Sequence, residues 1–199
     1  MLQFDLKSHR YRDTETGRYV GAADVLHHIQ EEVNRTEVRL KAHARLLTVG
    51  KIDLPEFQSR MAQTIKEAHL RTAMVGAGGK DALTPSHYGQ IGAELRKQYK
   101  YLYQFGLDLA DGKLSPNEAI NRAGSYGKAV RNSFYKAEFT SRDKLGQYAK
   151  RLLDSRAQHC DSCLGYQKLQ WTLLKNITPP GVDCQCGGNC RCRIIYRVL

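Results

Sequence analysis

Gly50-Lys51-Ile52-Asp53-Leu54-Pro55-Glu56 and Gly112-Lys113-Leu114-Ser115-Pro116-Asn117-Glu118 are two versions of one joint, and their reading decides the fold. Each opens with a glycine, which can end a helix in the left-handed conformation that other residues avoid. Each then supplies a capping side chain (Asp53, Ser115), a proline in the first turn (Pro55, Pro116) and a glutamate three residues after the cap (Glu56, Glu118). That is the pattern of a capping box. Ile52 and Phe57 are spaced as a hydrophobic staple across the first start. A chain that stops one helix and starts another within so few residues doubles back, so the joints predict antiparallel helical hairpins. Shared capping chemistry explains their likeness as well as duplication does.

Outward from the first joint, Leu26, Ile29, Val33, Leu40, Ala44 and Leu47 recur at helical spacing from Ala22 onward. The helix after Asp53 is predicted to run to about Met74, with Gly76, Gly78 and Gly79 as a flexible break. Around the second joint, Thr84-Pro85 starts a helix whose inward residues are Tyr88, Ile91, Leu95, Tyr99, Leu102 and Phe105. After Ser115, the small face Ala119, Ile120, Ala123, Gly124, Gly127, Ala129 and Val130 lets another helix approach closely. Its glycines cost helix stability, so packing must hold it. Phe134-Tyr135 and Phe139 are expected to close the core, and Ser141 to begin a further helix through Leu145, Tyr148, Leu152 and Leu153. Ahead of Ala22, Tyr11-Arg12-Asp13 and Gly17-Arg18-Tyr19-Val20 read as a β-hairpin. Two strands alone are marginal in water, so the hairpin must pack on the body or reach a neighbour as an assembly arm. The expected class is mainly α: a bundle of long antiparallel helices (22–156), an N-terminal β-hairpin (1–21) and a small Cys-rich α+β C-terminal module (157–199).

With 199 residues, 41% of them hydrophobic, the chain can bury one helical core and carry a small appendage. A mean hydropathy of −0.54 and the lack of a long apolar run argue against a membrane helix. Met1-Leu2-Gln3-Phe4-Asp5-Leu6-Lys7 has no apolar signal core, which predicts synthesis in a reducing cytosol. The formal charge of +11 suits nucleic acid, an acidic partner or an assembly surface. The basic residues are scattered, as in Arg96-Lys97 and Lys100, and read first as a solvated helical surface.

All six cysteines lie in the tail, in His159-Cys160-Asp161-Ser162-Cys163 and Cys184-Gln185-Cys186-Gly187-Gly188-Asn189-Cys190-Arg191-Cys192. A Cys-x-x-Cys turn aims two thiolates at one ion, and a second cluster across a loop can close a tetrahedral zinc site. Gly187 and Gly188 allow the backbone to bend between ligands. The ligands expected are Cys160, Cys163, Cys190 and Cys192, then Cys186, with Cys184 and His159 as substitutes. One ion cannot use them all. Structural zinc is the first expectation; disulfides formed after release from the cell, and free thiols, are the alternatives. A thioredoxin-type role would need an alternating βα chain. Between the two groups, Trp171 is expected to fill a miniature core, Pro179-Pro180-Gly181 to turn the chain back, and Arg193-Ile194-Ile195-Tyr196-Arg197-Val198-Leu199 to form a closing strand or an arm.

The order His159-Cys160-x-x-Cys163, Trp171, Pro180-Gly181, Cys186-x-x-x-Cys190-x-Cys192 and Tyr196 resembles the C-terminal end of phage head morphogenesis proteins, the minor head proteins of the phage Mu F type. Cys184 is extra to that pattern. The likeness is specific over the last forty-odd residues and loose elsewhere, in the Tyr11–Val20 hairpin and in Tyr88-Gly89 with Gln98-Tyr99-x-Tyr101-Leu102. The resemblance implies a virion structural protein, made in the host bacterial cytoplasm and built into the particle as a multimeric minor head or connector-region component. Its implied partners are phage portal, capsid or connector proteins, with DNA as a further candidate and no membrane.

No catalytic constellation is expected. His27-His28, His43, His69 and His87 stand in no metal or triad spacing. An HNH-like nuclease pattern is not readable, nor is the Arg, Ser-Thr-Ser and Glu-x-Glu series of the ADP-ribosyl transferases associated with some relatives. Gly76-Ala77-Gly78-Gly79-Lys80 lacks the Ser or Thr of a phosphate loop. The runner-up to the head-protein reading is a zinc-braced nucleic-acid-binding factor.

Overall fold

A computed structural model of the chain describes residues 2–5, 7–143, 145–182 and 184–197, with Gly188 described in its backbone alone. At the first joint, α1 (Ala22–Thr48) ends at Gly50, whose φ of +69° lets the Lys51 N–H reach the Leu46 carbonyl at 2.9 Å. The next helix, α2 (Leu54–Ala77), starts where Asp53 accepts the Glu56 N–H at 2.8 Å. The Glu56 carboxylate turns to Arg60 at 2.5 Å, so an exposed ion pair replaces the reciprocal half of the expected box. At the second joint, between α3 (Pro85–Ala110) and α4 (Pro116–Ser125), the box is complete: the Ser115 N–H donates to Glu118 at 2.9 Å and the Glu118 N–H to Ser115 Oγ at 3.4 Å.

These joints stack α2 on α1, α3 on α2 and the short α4 along α1, with Arg122 of α4 bound to Asp108 of α3 at 2.7 Å. Leu40, Phe57, Met61, Ile65, Leu102, Phe105 and Ala123 fill the core between them. The small face performs as its residues predict: a Cβ at Gly127 would lie 3.0 Å from the Glu37 backbone nitrogen. After a 3-10 turn (Tyr126–Ala129), α5 (Val130–Asp143) lies tightly on α2. A Cβ at Gly76 would meet the Phe134 carbonyl at 2.2 Å, so Gly76 is a helix contact inside α2, and the break falls at Gly78 with φ +100°. Tyr88, expected inside, is 53% exposed. His87 takes the inward place, because its Nδ1 accepts the Thr84 N–H at 3.0 Å and caps α3.

The N-terminal sheet has one strand more than the hairpin predicted, β1 (Leu2–Asp5), β2 (Arg10–Asp13) and β3 (Tyr19–Val20), antiparallel in that order. It is not a free arm: Leu2, Phe4 and Tyr11 bury against Val25, Ile29, Val75, Phe134 and Tyr135.

The helix expected from Ser141 to Leu153 does not form. α5 stops at Asp143, Gly146 takes φ +62°, and β4 (Tyr148–Leu152) follows as the central strand of a second sheet. Ala149 and Arg151 point inward, so a buried arginine hides the strand's alternation and leaves Leu145, Tyr148 and Leu152 to mimic a helical stripe. The C-terminal module therefore takes its first strand from residues read as helical body. β5 (Thr172–Leu173) and β6 (Arg193–Arg197) flank β4, both antiparallel, while α6 (Asp161–Lys168) carries the first cysteine pair. β6 is a closing strand; Val198 and Leu199 lie outside the described residues.

Ala149, Leu174, Ile177 and Ile194, with Phe139 of α5 packed on them, form the small core of this sheet. Trp171 stands outside it, half-buried beneath the Arg197 guanidinium 4.4 Å from its ring, a cation–π contact in place of the core position expected. Glu138 of α5 holds both sheets: it accepts from Tyr11 of β2 at 3.2 Å and Tyr196 of β6 at 2.7 Å, and pairs with buried Arg142 at 3.2 Å. Arg142 lies over the Phe4 and Tyr196 rings at 4.3 and 4.0 Å. Among the described residues no helix is long and apolar enough to cross a membrane.

Candidate metal centre

The fold brings the two ends of the cysteine pattern together. Cys160 caps α6 in an extended conformation, which sets Cys163 in the first helical turn, fully buried. Gly181, with φ +80° in the turn after Pro179-Pro180, returns the chain, and its N–H donates to Cys184 Sγ at 3.2 Å. Successive turns follow, Gly187 N–H to Cys184 O, Asn189 N–H to Cys186 O and Cys190 N–H to Gly187 O, with Gly187 at φ +52°. They coil the second cysteine loop over the first. The helical body grips this loop through Lys128 to Asn189 and Arg131 to the Cys190 carbonyl, both at 3.2 Å.

The sulfurs fall into two overlapping groups: Cys160, Cys163, Cys184 and Cys186, and Cys163, Cys190 and Cys192. Within each, the donor atoms lie within 4.8 Å of one another, close enough for a metal ion. His159 Nδ1 is 3.7 Å from Cys192 Sγ. All six cysteines are free thiols, and the nearest sulfurs for which a distance is defined, Cys160 and Cys186, are 3.1 Å apart, well beyond the roughly 2.05 Å of a disulfide. The structure thus gathers the six cysteines singled out in the sequence, with His159 beside Cys192 and in neither group. It divides them differently: the quartet Cys160, Cys163, Cys190 and Cys192 is split, and Cys184, ranked as a substitute, belongs to the first group.

Without a cation two of the thiols resist ionisation. Burial pushes the Cys163 thiol far up, reinforced by its neighbouring sulfurs, and pushes Cys192 up to about 11. Cys160 runs the other way: burial raises it, but donors from Cys186 and the Cys163 backbone outweigh this and bring it down to about 6. A bound dication reverses the balance for Cys163 and Cys192, since a coordinating thiol is deprotonated outright. Soft thiolates, four of the six buried, suit zinc or a similar thiophilic metal.

The chain matches no family model, no curated protein and no solved structure. The likeness of its tail to the head proteins rests on the motif residues.

Elsewhere the buried polar groups serve packing. His69 and Ser133 are 2.7 Å apart, the reach of a base and a nucleophile, but they are 0% and 3% exposed and cannot meet a substrate. Glu94 is paired with Lys136 at 2.6 Å, and His43 with Thr64 at 3.1 Å. Sequence reasoning missed Arg151, 0% exposed in the centre of the module, stacked on Tyr166 at 5.1 Å. It also missed the Glu138–Arg142 pair; their four-residue helical spacing was a signal, but nothing marked it as buried.

Proposed function

We propose that this chain is a non-enzymatic structural protein of a phage particle, a minor head or connector-region component, whose C-terminal module is braced by zinc. The observation that carries the reading is the thiol cluster: six cysteines, four of them buried, that bring the second cysteine loop against Cys160 and Cys163 at the start of α6. A structural zinc site has that form, whereas a catalytic one keeps a position open to substrate. The module's own apolar core is small, and domains of such size commonly need a metal or disulfides. The head-protein part is supported by the order of motif residues from His159 to Tyr196. Tyr101 and Tyr103 on α3, 66% and 65% exposed, offer the aromatic contacts that interfaces favour.

The test is incorporation. A variant with Cys160→Ser and Cys163→Ser should be lost from purified particles and cleaved by protease in its tail, with the helical far-UV dichroism kept. Wild-type incorporation and protease resistance would sink the reading.

A second reading, a zinc-braced nucleic-acid-binding factor, draws on a cleft of about 1100 Å³ between α1, α5 and the cysteine loop. Lys128, Arg131, Arg156, Arg191 and Arg193 line it, against the acidic Glu37 and Asp154. On this reading the isolated protein binds DNA with an affinity that falls steeply as salt rises.

A further inference from the structure

We propose that the module holds a two-ion zinc centre in which the Cys163 thiolate bridges one ion bound by Cys160, Cys163, Cys184 and Cys186 and a second bound by His159, Cys163, Cys190 and Cys192. The inference rests on the zinc-brace reading and deepens it.

Donor count is the first argument. Two tetrahedral ions that share one ligand need seven donors, and the six cysteines with His159 supply seven. A single four-coordinate ion would leave three donors without a role, among them buried thiols. Geometry is the second. The two groups of sulfurs overlap at one residue, Cys163, which is fully buried between them and interacts with Cys160 on one side and Cys190 and Cys192 on the other. Tetrahedral zinc with bonds of about 2.3 Å to sulfur and about 2.05 Å to nitrogen sets S···S edges of about 3.8 Å and S···N edges of about 3.6 Å. Cys163 and Cys190 stand 3.7 Å apart, as do Cys192 Sγ and His159 Nδ1. The second group holds three cysteines, and His159, beside Cys192, would move in to complete it as the fourth ligand.

The surroundings suit a centre of negative charge, which six thiolates around two dications would be. Arg151 is buried beside the cluster, and its Nε and Nη1 have no hydrogen-bond partner among the described residues. The Gly181 N–H already points at Cys184 Sγ, the kind of backbone bond that orients a ligand thiolate.

The full-length protein, purified under reducing conditions, would be weighed by native mass spectrometry and its free thiols counted. Two zinc ions per chain with all six thiols protected is the expected result. One ion per chain with reactive thiols overturns the two-ion centre but leaves a single zinc brace, and no ion overturns both. Loading with Co(II) reads the bridge: the electron paramagnetic resonance signal should grow with the first ion and fall with the second, as the two spins couple through the shared sulfur. Two ions whose signals simply add would overturn the bridge. Cys184→Ser and His159→Ala should each leave about one ion per chain, whereas two ions retained in both variants would overturn the assignment. The wild-type metal count and the Co(II) titration decide the matter even if a variant fails to fold.

Discussion

The two ends of this protein each carry a three-stranded antiparallel sheet laid on α5, yet they are held by different physics. The N-terminal sheet contributes Leu2, Phe4 and Tyr11 to a cluster that already contains Val25, Val75 and Phe134, so it shares the core of the helical body. The C-terminal sheet packs Ala149, Leu174, Ile177 and Ile194 in a separate small cluster with Phe139 of α5, Tyr166 and Tyr196 against it, and beside them lies a knot of thiols. A sheet that joins an existing core needs few residues of its own. One that must build a small core of its own gains most from a cross-link, and the cysteines are spent only there.

On the zinc-brace reading, the widest separation between the two ends should come from removing the metal. Structural zinc contributes on the order of 10 kcal/mol to the folding of small modules, more than this one's aliphatic core can replace. Chelation under reducing conditions should abolish hydrogen-exchange protection in β4, α6 and β6 while leaving α1, α2 and β2 protected. Protection that survived in β4 and β6 would mean that the aliphatic core suffices and that the contrast is wrong.

A smaller effect compares one side chain from each sheet. Phe4→Ala should cost the whole protein about 3–5 kcal/mol, read as a lower urea midpoint for the helices, because its ring belongs to the body's cluster. Ile194→Ala should cost about 2–5 kcal/mol locally, seen as faster exchange in β4 and β6 with the helical midpoint held. If Ile194→Ala moved the helical midpoint as far as Phe4→Ala does, the module would be coupled to the body as tightly as the N-terminal sheet is.

Much of this architecture was legible where local chemistry is strong. The capping joints at Asp53 and Ser115, the glycine stops and the apolar spacing of α1 to α3 fixed the helical body. The cysteine spacing marked the cluster, in which the six thiols converge with His159 beside Cys192. What escaped depends on partners distant in sequence. β4 was misread because its inward Arg151 lies under Tyr166 and its neighbours in the sheet arrive only after the cysteine loop closes. β1 carries too few residues to announce a strand before β2 pairs with it. The division of the ligands into two groups sharing Cys163 could not be read from spacing, since it depends on how the Gly181 turn lays one loop across the other.

The smallest effect separates body from module by pH. Burial holds the His69 imidazole down to about 4, with Glu94 pulling it up and Lys136 pushing it down. The folded protein keeps this histidine neutral where an unfolded chain, titrating near 6.5, already takes a proton. Its contribution is therefore complete above about pH 6.5 and is lost as the pH falls toward 4, a total of about 3 kcal/mol and about 2 kcal/mol by pH 5. A zinc-braced module would also weaken in acid, since protons compete with the metal for thiolates, but its loss would depend on metal concentration. Urea unfolding of the helices at pH 7.5 and pH 5 should show the drop in the wild type, a much smaller drop in His69→Gln, and no change in either with added zinc. A drop that zinc reverses, or one that His69→Gln retains in full, would place the acid sensitivity of the body in the module or in its carboxylates instead.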